Sequence, residues 1–324
     1  MRGLSLLAAL AVACTGTVAA DEPPTAEVAR LTFAWPPGTV AQVETSRQRT
    51  RLTGEKETTF SANARYRMHV RSHEDGLLVA YSDFETPTVA GDDEDRKATV
   101  EAILQKVAAV APSIVVSPEA ELLRVENVKE LREQMQSVFE PMLAEMKDAP
   151  PQLNAMMRNA LSEQSLTASA AQDWNALVGA WAGAEFEQGA TYGLTTDEPL
   201  PMIPGATVPM TYEFAYVEKV PCGTSAASPA CVVLEMNSAP DQQAMKNILD
   251  EFMRKMTRGN AATQGLFESL DVTSTIVVVM EPATMLPHRL EIEKRVEGTV
   301  RAPGEEPQVV TQFDEQVTTF TYLD

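Results

Sequence analysis

The sequence predicts an α+β fold: a curved, half-barrel-like antiparallel β-sheet with a mainly helical insertion packed on it. Three observations point there. Residues 31–89 and 190–324 contain long runs that alternate apolar and polar side chains, the period-two mark of strands with one wet face. Residues 93–186 switch to apolar stripes at helical spacing. Each β region keeps one polar face, so the two regions and the helices must cover each other's apolar faces. The chain has 324 residues, and 21–324 read as one such domain behind a leader at 1–20.

The leader is a secretory signal in layout. Arg2 gives a positive start, Leu4 to Ala13 is an apolar run broken only by Ser5, and Val18-Ala19-Ala20 presents small side chains before Asp21-Glu22. It is too short to stay as a membrane-spanning helix, and no later segment is long and apolar enough to be one. The expected location is periplasmic or secreted. The alternative is a lipoprotein anchored through Cys14, because Leu10-Ala11-Val12-Ala13-Cys14 is a degenerate lipobox.

Residues 21–30 read as a polar lead-in, and Phe33-Ala-Trp-Pro-Pro-Gly38 opens a strand region. Thr39 to Leu52 is the first strand and breaks at Thr53-Gly54-Glu55. Thr58 to Ser72 follows, with Tyr66, Met68 and Val70 on one face and Arg65, Arg67, His69 and Arg71 on the other. Glu74-Asp75-Gly76 turns the chain into a third strand, Leu77 to Thr88, completing a meander.

The helical stretch begins after Asp92-Asp93-Glu94-Asp95, whose charges suit a helix N-terminus, and carries Val100, Ile103, Leu104, Val107 and Val110. Ile114 to Val125 reads as a small hairpin. Asn127 can cap a second helix bearing Val128, Leu131, Met135, Val138, Met142 and Met146, which Pro141 should kink or divide. A third helix follows Pro150-Pro151 with Leu153, Met156, Met157 and Leu161, and a fourth carries Trp174, Leu177, Val178 and Trp181 before fraying at Gly183.

The second β region starts with Val208 to Val220 and Cys231 to Asn237. A helix from Asp241 turns Met245, Ile248, Leu249, Phe252 and Met256 inward. Leu270 to Glu281, Arg289 to Arg301 and Gln308 to Tyr322 then form a closing meander. Without the leader, only Cys222 and Cys231 remain as cysteines. They flank turn chemistry between two strands, so a structural disulfide across that hairpin is expected, and two cysteines without nearby histidines make a poor zinc site.

The formal charge of −20 disfavours nucleic acid and anionic lipid surfaces as partners. His69 and His73 are four apart on a strand among arginines, which suits ion pairing rather than a metal. Asp92 to Asp95 lacks the ligand alternation of a calcium loop. No nucleophile elbow, Ser-x-x-Lys, His-Glu-x-x-His or phosphate loop is present, so no catalytic residue and no cofactor is assigned and the reading is non-enzymatic, with a hydrolase whose active site is assembled from residues distant in sequence as a further alternative. Met135, Met142, Met156, Trp174 and Trp181 have two readings: core packing, or the lining of an adaptable apolar cleft between sheet and helices. The second makes a lipid or a hydrophobic protein segment the partner, and the competing class is an envelope interaction module with no ligand.

The order of leader, meander, helical insertion and longer β region resembles the incomplete β-barrel of periplasmic lipoprotein carriers of the LolA and LolB type. The run Ser117-Pro-Glu-Ala-Glu-Leu-Leu-Arg-Val125 also resembles a segment of secreted bacterial β-rich proteins. The resemblance is architectural and implies an apolar cargo without assigning site residues.

N-terminal sequencing of the exported protein should begin at Asp21; acylated Cys14 in the membrane fraction would instead establish the anchored form.

Overall fold

The structure, a computed structural model, describes residues 27–91, 111–145, 158–200, 203, 205–223, 229–256, 267–301 and 306–323. Antiparallel strands dominate it. The first β region gives β2 (Val40–Thr53), β3 (Lys56–His73), β4 (Gly76–Ser82) and β5 (Thr88–Gly91). The second gives β9 (Thr191–Pro199), β10 (Thr207–Pro221), β11 (Ala230–Pro240), β12 (Phe267–Met280), β13 (Pro287–Val300) and β14 (Gln308–Leu323). They belong to one open twelve-stranded sheet, in which β5 continues the edge of β3 beyond β4.

The seam between the two β regions is the β2–β14 pair, in unbroken register from Val40↔Leu323 to Thr53↔Val310. Alternation decides which face is covered. Ala41, Val43, Met68, Val70, Val79, Leu234, Val278, Leu290 and Phe320 share the inner face and are buried, whereas Glu44, Arg65, Arg67, Arg289 and Arg295 lie on the outer one. Gly76 turns β3 into β4 where only glycine fits. Its φ is +144°, and a Cβ there would meet the Val116 carbonyl oxygen at 2.2 Å.

The expected mainly helical insertion holds only in part. Within it, β6 (Ile114–Val116) and β7 (Leu122–Val125) join the main sheet, β6 pairing with β4 and β7 forming the edge. Ile114, Val115 and Val116 are all buried, so this short run gains more as a strand covered on both faces than as a satellite hairpin. Helices α1 (Val128–Glu145) and α2 (Glu163–Trp174) follow, and α1 is continuous through Pro141. Asn127 does not cap α1 with its side chain; its Oδ1 accepts from the Ser113 N–H and its Nδ2 donates to the Ala111 carbonyl, tying the helix start to the strand before it. The expected helix over 100–110 and most of the one after Pro151 lie outside the described residues. Helix α3 (Gln242–Met256) begins as expected, with Asp241 Oδ1 accepting from the Ala244 N–H.

Two further departures build a strap across the inner face. Residues 28–35 are neither a lead-in nor the start of the first long strand. β1 (Val28–Arg30) pairs with β8 (Glu185–Glu187), and the stretch after it bonds to the turn at 282–285, with Trp35 Nε1 donating to the Met285 carbonyl at 2.9 Å. Helix α2 does not fray directly. It widens into a π-turn, Asn175–Gly179, which packs on β13 and brings Trp174, Leu177, Val178 and Trp181 all inward. At one end of the strap Trp174 Nε1 donates to the Ala120 carbonyl in the β6–β7 turn. At the other the Gly189 N–H donates to the Tyr216 carbonyl of β10. A flat sheet would hold β7 and β10 about 43 Å apart, at roughly 4.8 Å per neighbouring strand. About fifteen residues that are partly helical and turn once cannot span that at roughly 1.5 Å per helical residue. The sheet therefore curls around the strap.

Trp181 is fully buried between Phe186 and Phe214, with ring centroids 6.2 and 5.5 Å away. Trp181→Ala should lower unfolding free energy by about 3–5 kcal/mol, read by urea denaturation; a loss near zero would show that the strap does not hold the sheet.

Candidate functional site

The inner face divides along the strands. At the strap end its rungs are filled: Tyr66 and Ala41–Val43 meet Phe320, Leu290, Val278, Leu234 and Tyr216 beneath two aromatic groups. One group is Phe33, Trp35 and Trp174, with centroids 5.3 to 5.9 Å apart; the other joins Trp181 to Phe186 and Phe214. Further along the same face, Phe60, Val272, Ile276, Ile292 and Val296 are only half-buried, so apolar surface there keeps contact with water.

That distal half also carries charge. Arg47, Arg49 and Arg51 alternate along β2 on the parity of Ala41 and Val43, hence on the inner face. Asp314 stands opposite Arg49 on β14, and Lys294 stands opposite Asp314 on β13. Arg47 grips the carboxylate with both ends of its fork, Nε to Oδ1 and Nη2 to Oδ2, each at 2.7 Å. Arg49 donates twice to Oδ2, at 3.0 and 2.5 Å. Burial pushes the Asp314 carboxyl up, but the hydrogen bonds and charges of the two arginines together outweigh it and hold the group below the usual carboxylate range.

A second carboxylate reaches this area from α2. Asp173 lies within electrostatic reach of Arg47, Tyr66 and Tyr81. The surrounding protein pushes it up to about 6, against the opposing pull of Arg47. Its side chain keeps an exposed surface, so water screens that push and its weight in folding is small. Tyr66 and Tyr81 meet edge to face at 5.6 Å, and burial raises both phenols. They stay neutral at physiological pH.

The residues singled out from sequence separate. Trp174 and Trp181 are buried in the two aromatic groups of the strap, and Met135 is half-buried on α1. Met142 lies on α1 where only the backbone is described, and Met156 lies outside the described residues. Cys222 and Cys231 are joined, with Cα atoms 4.9 Å apart, across the end of the β10–β11 hairpin. A cavity of about 430 Å³ opens on the opposite, outer face. It is lined by Glu44, Ser46, Asn63, Arg65, Glu85 and Thr88, polar groups in which Arg65 pairs with both Glu44 and Glu85. Arg47, Arg49 and Arg51 alternate within the strand expected at Thr39 to Leu52, a pattern that could have singled them out. Asp314, their partner, could not be singled out so, because it is 267 residues from Arg47.

The low carboxyl of Asp314 fixes an acid dependence. Its contribution is present above the unfolded carboxyl range and is lost as pH falls through the depressed folded value. Asp314→Asn should cost about 1–3 kcal/mol at neutral pH and flatten stability against pH on the acid side, as measured by denaturation between neutral pH and pH 3. An unchanged acid limb would remove Asp314 as its source.

No protein-family model matches the sequence, and no curated protein matches it. Among solved structures, the chain is similar to lipovitellin in a structure of its lipid–protein interactions. The identity is 10% and the TM-score 0.40, over 88% of this chain and 25% of that one. It thus spans about a quarter of the lipovitellin chain it matches. It is also similar to an outer membrane channel from Pseudomonas putida F1, at 9% identity and a TM-score of 0.22, over 89% of this chain and 97% of that chain. Among the described residues no helix is long and apolar enough to cross a membrane.

Proposed function

We propose that this protein is an exported, non-enzymatic binding protein of the cell envelope, with its ligand or hydrophobic partner segment held on the inner face of the curled sheet. One observation carries the reading. Apolar rungs that are fully buried at the strap end continue, on the same face, into Ile276, Ile292, Val272, Val296 and Phe60, which are only partly covered. Concave, largely apolar surfaces with a few placed polar groups are the usual seats of small ligands. The disulfide fits an oxidising compartment, as does the leader read from the sequence.

A second reading has its own observation. Among the described residues no strand pairs the outer edge of β9, and on its inner face Tyr192 and Leu194 remain 39% and 54% exposed. An exposed edge with apolar side chains is a place for a partner strand to add. In that reading the protein is an interaction module, with the strap filling its own sheet.

Native mass spectrometry of protein released gently from its host separates the two. Adducts with the masses of amphiphiles, removed by organic extraction, are expected for the binding protein; a bare chain mass with a protein partner attached would favour the module.

A further inference from the structure

We infer that the ligand is an anionic amphiphile whose carboxylate or phosphate headgroup is held by Arg49, Arg51 and Lys294, with its chain along Ile292, Ile276 and Val272. The inference rests on the binding reading above and names the ligand class for the same face.

Charge is sorted differently on the two faces of the sheet. The chain has a net charge of −20. Its outer face mixes signs in close pairs: Arg65 with Glu44 at 2.9 Å, Arg67 with Asp83 at 3.1 Å, Arg295 with Glu297 at 2.6 Å, and Arg289 with Glu291. The inner face of β2, β14 and β13 does not. There, among the described residues, Arg47, Arg49, Arg51 and Lys294 share the face of these strands with one carboxylate, Asp314, and Asp173 on α2 acts on Arg47. A cluster with a net positive charge inside a curved wall concentrates its field toward the concavity.

The donors on this face are not all used. Arg47 spends both ends of its fork on Asp314, and Arg49 places two donors on one oxygen of the same group. Among the described residues no ion pair engages Arg51 or Lys294. Arg51 is two residues from Arg49 on the same face, about 7 Å along the strand. Lys294 is two strands away in the same rung, about 10 Å across the sheet. One anionic headgroup seated between them reaches all three, and a guanidinium fork matches the paired oxygens of a carboxylate or phosphate.

Apolar rungs flank the cations. The rung on the strap side of Lys294 carries Ile292 and Ile276, and the rung on its other side carries Val296 and Val272. Phe60 stands opposite Arg49 on β3. A free anion needs only the charges. An acyl chain uses the half-buried apolar rungs as well, so the two features together select an amphiphile.

The test is calorimetric titration of the full exported chain with four probes: myristate, methyl myristate, myristoyl lysophosphatidylglycerol and inorganic phosphate. At least one charged lipid should bind about tenfold or more tighter than the uncharged ester, a difference of about 1.4 kcal/mol per tenfold. Arg51→Gln with Lys294→Gln should cut that preference severalfold, Arg49 remaining in place, and should weaken ester binding far less than binding of the charged lipids. Both side chains are exposed, and Arg51→Lys with Lys294→Arg should restore the preference in a folded protein. Which charged lipid binds tighter separates carboxylate from phosphate as the headgroup source. Equal binding of ester and charged lipids, unmoved by the double variant, overturns the headgroup assignment and leaves the apolar site standing. Inorganic phosphate binding as tightly as the lipids also overturns it, in favour of a free anion. Binding of none of the four overturns both the headgroup and the binding function beneath it.

Discussion

The architecture depends on one short stretch of chain that is tied to the sheet near both of its edges. Trp174 bonds the β6–β7 turn, Gly189 bonds β10, and between them the π-turn and Trp181 fill the inner face. A twelve-stranded sheet with an apolar face needs a cover, and a cover shorter than the sheet is wide forces it to curl. Curvature, the enclosed aromatic core and the concavity beyond it are then one consequence. The segment at 31–35 reinforces the strap by docking on the 282–285 turn, where Met285 accepts a left-handed backbone, φ 61°, and offers its carbonyl to Trp35. A non-glycine residue held in that region costs of order 1 kcal/mol, and the surrounding packing holds it there.

Because the strap covers only one end of the strands, the two halves of the inner face obey different rules. Under the strap, side chains are chosen for packing, and the polar pair Thr45 and Thr318 satisfy each other at 3.1 Å. Beyond it, the same parity on β2 switches from Ala41 and Val43 to three arginines. Buried Asp314 is what makes two of them tolerable neighbours, since like charges two residues apart on one strand face repel unless a counter-charge lies between them.

Much of this was legible from sequence because alternation is a local signal. Tyr66, Met68 and Val70 against Arg65, Arg67 and Arg71 set both the strand and its facing, and the closing meander read the same way. The strap was not legible. Val28 to Arg30 is a three-residue strand whose partner lies at 185–187, so only a tertiary contact makes it a strand. The run Ile114 to Val116 has no alternation, which hides whether it sits alone or at a sheet edge. For the inner face, the arginine triplet could be seen as a pattern, but its meaning required knowing that Asp314 and Lys294 share its rung. Trp174 and Trp181 are buried, and what they face is the strap's own core.

The β2–β14 seam also bears on how the chain reaches its native state. The central pair of the sheet joins its first long strand to its last, with Arg47 and Asp314 separated by 267 residues. Hairpins such as β2–β3 and β12–β13 can zip from neighbouring chain, but the two half-sheets cannot be sealed until β14 docks on β2. Closing so long a loop carries an entropic cost that no local contact offsets, and folds dominated by such distant pairings form slowly. Until β14 docks on β2, each half-sheet exposes an unpaired edge at what becomes the middle of the molecule, so the folding chain is most prone to wrong strand partners in that interval.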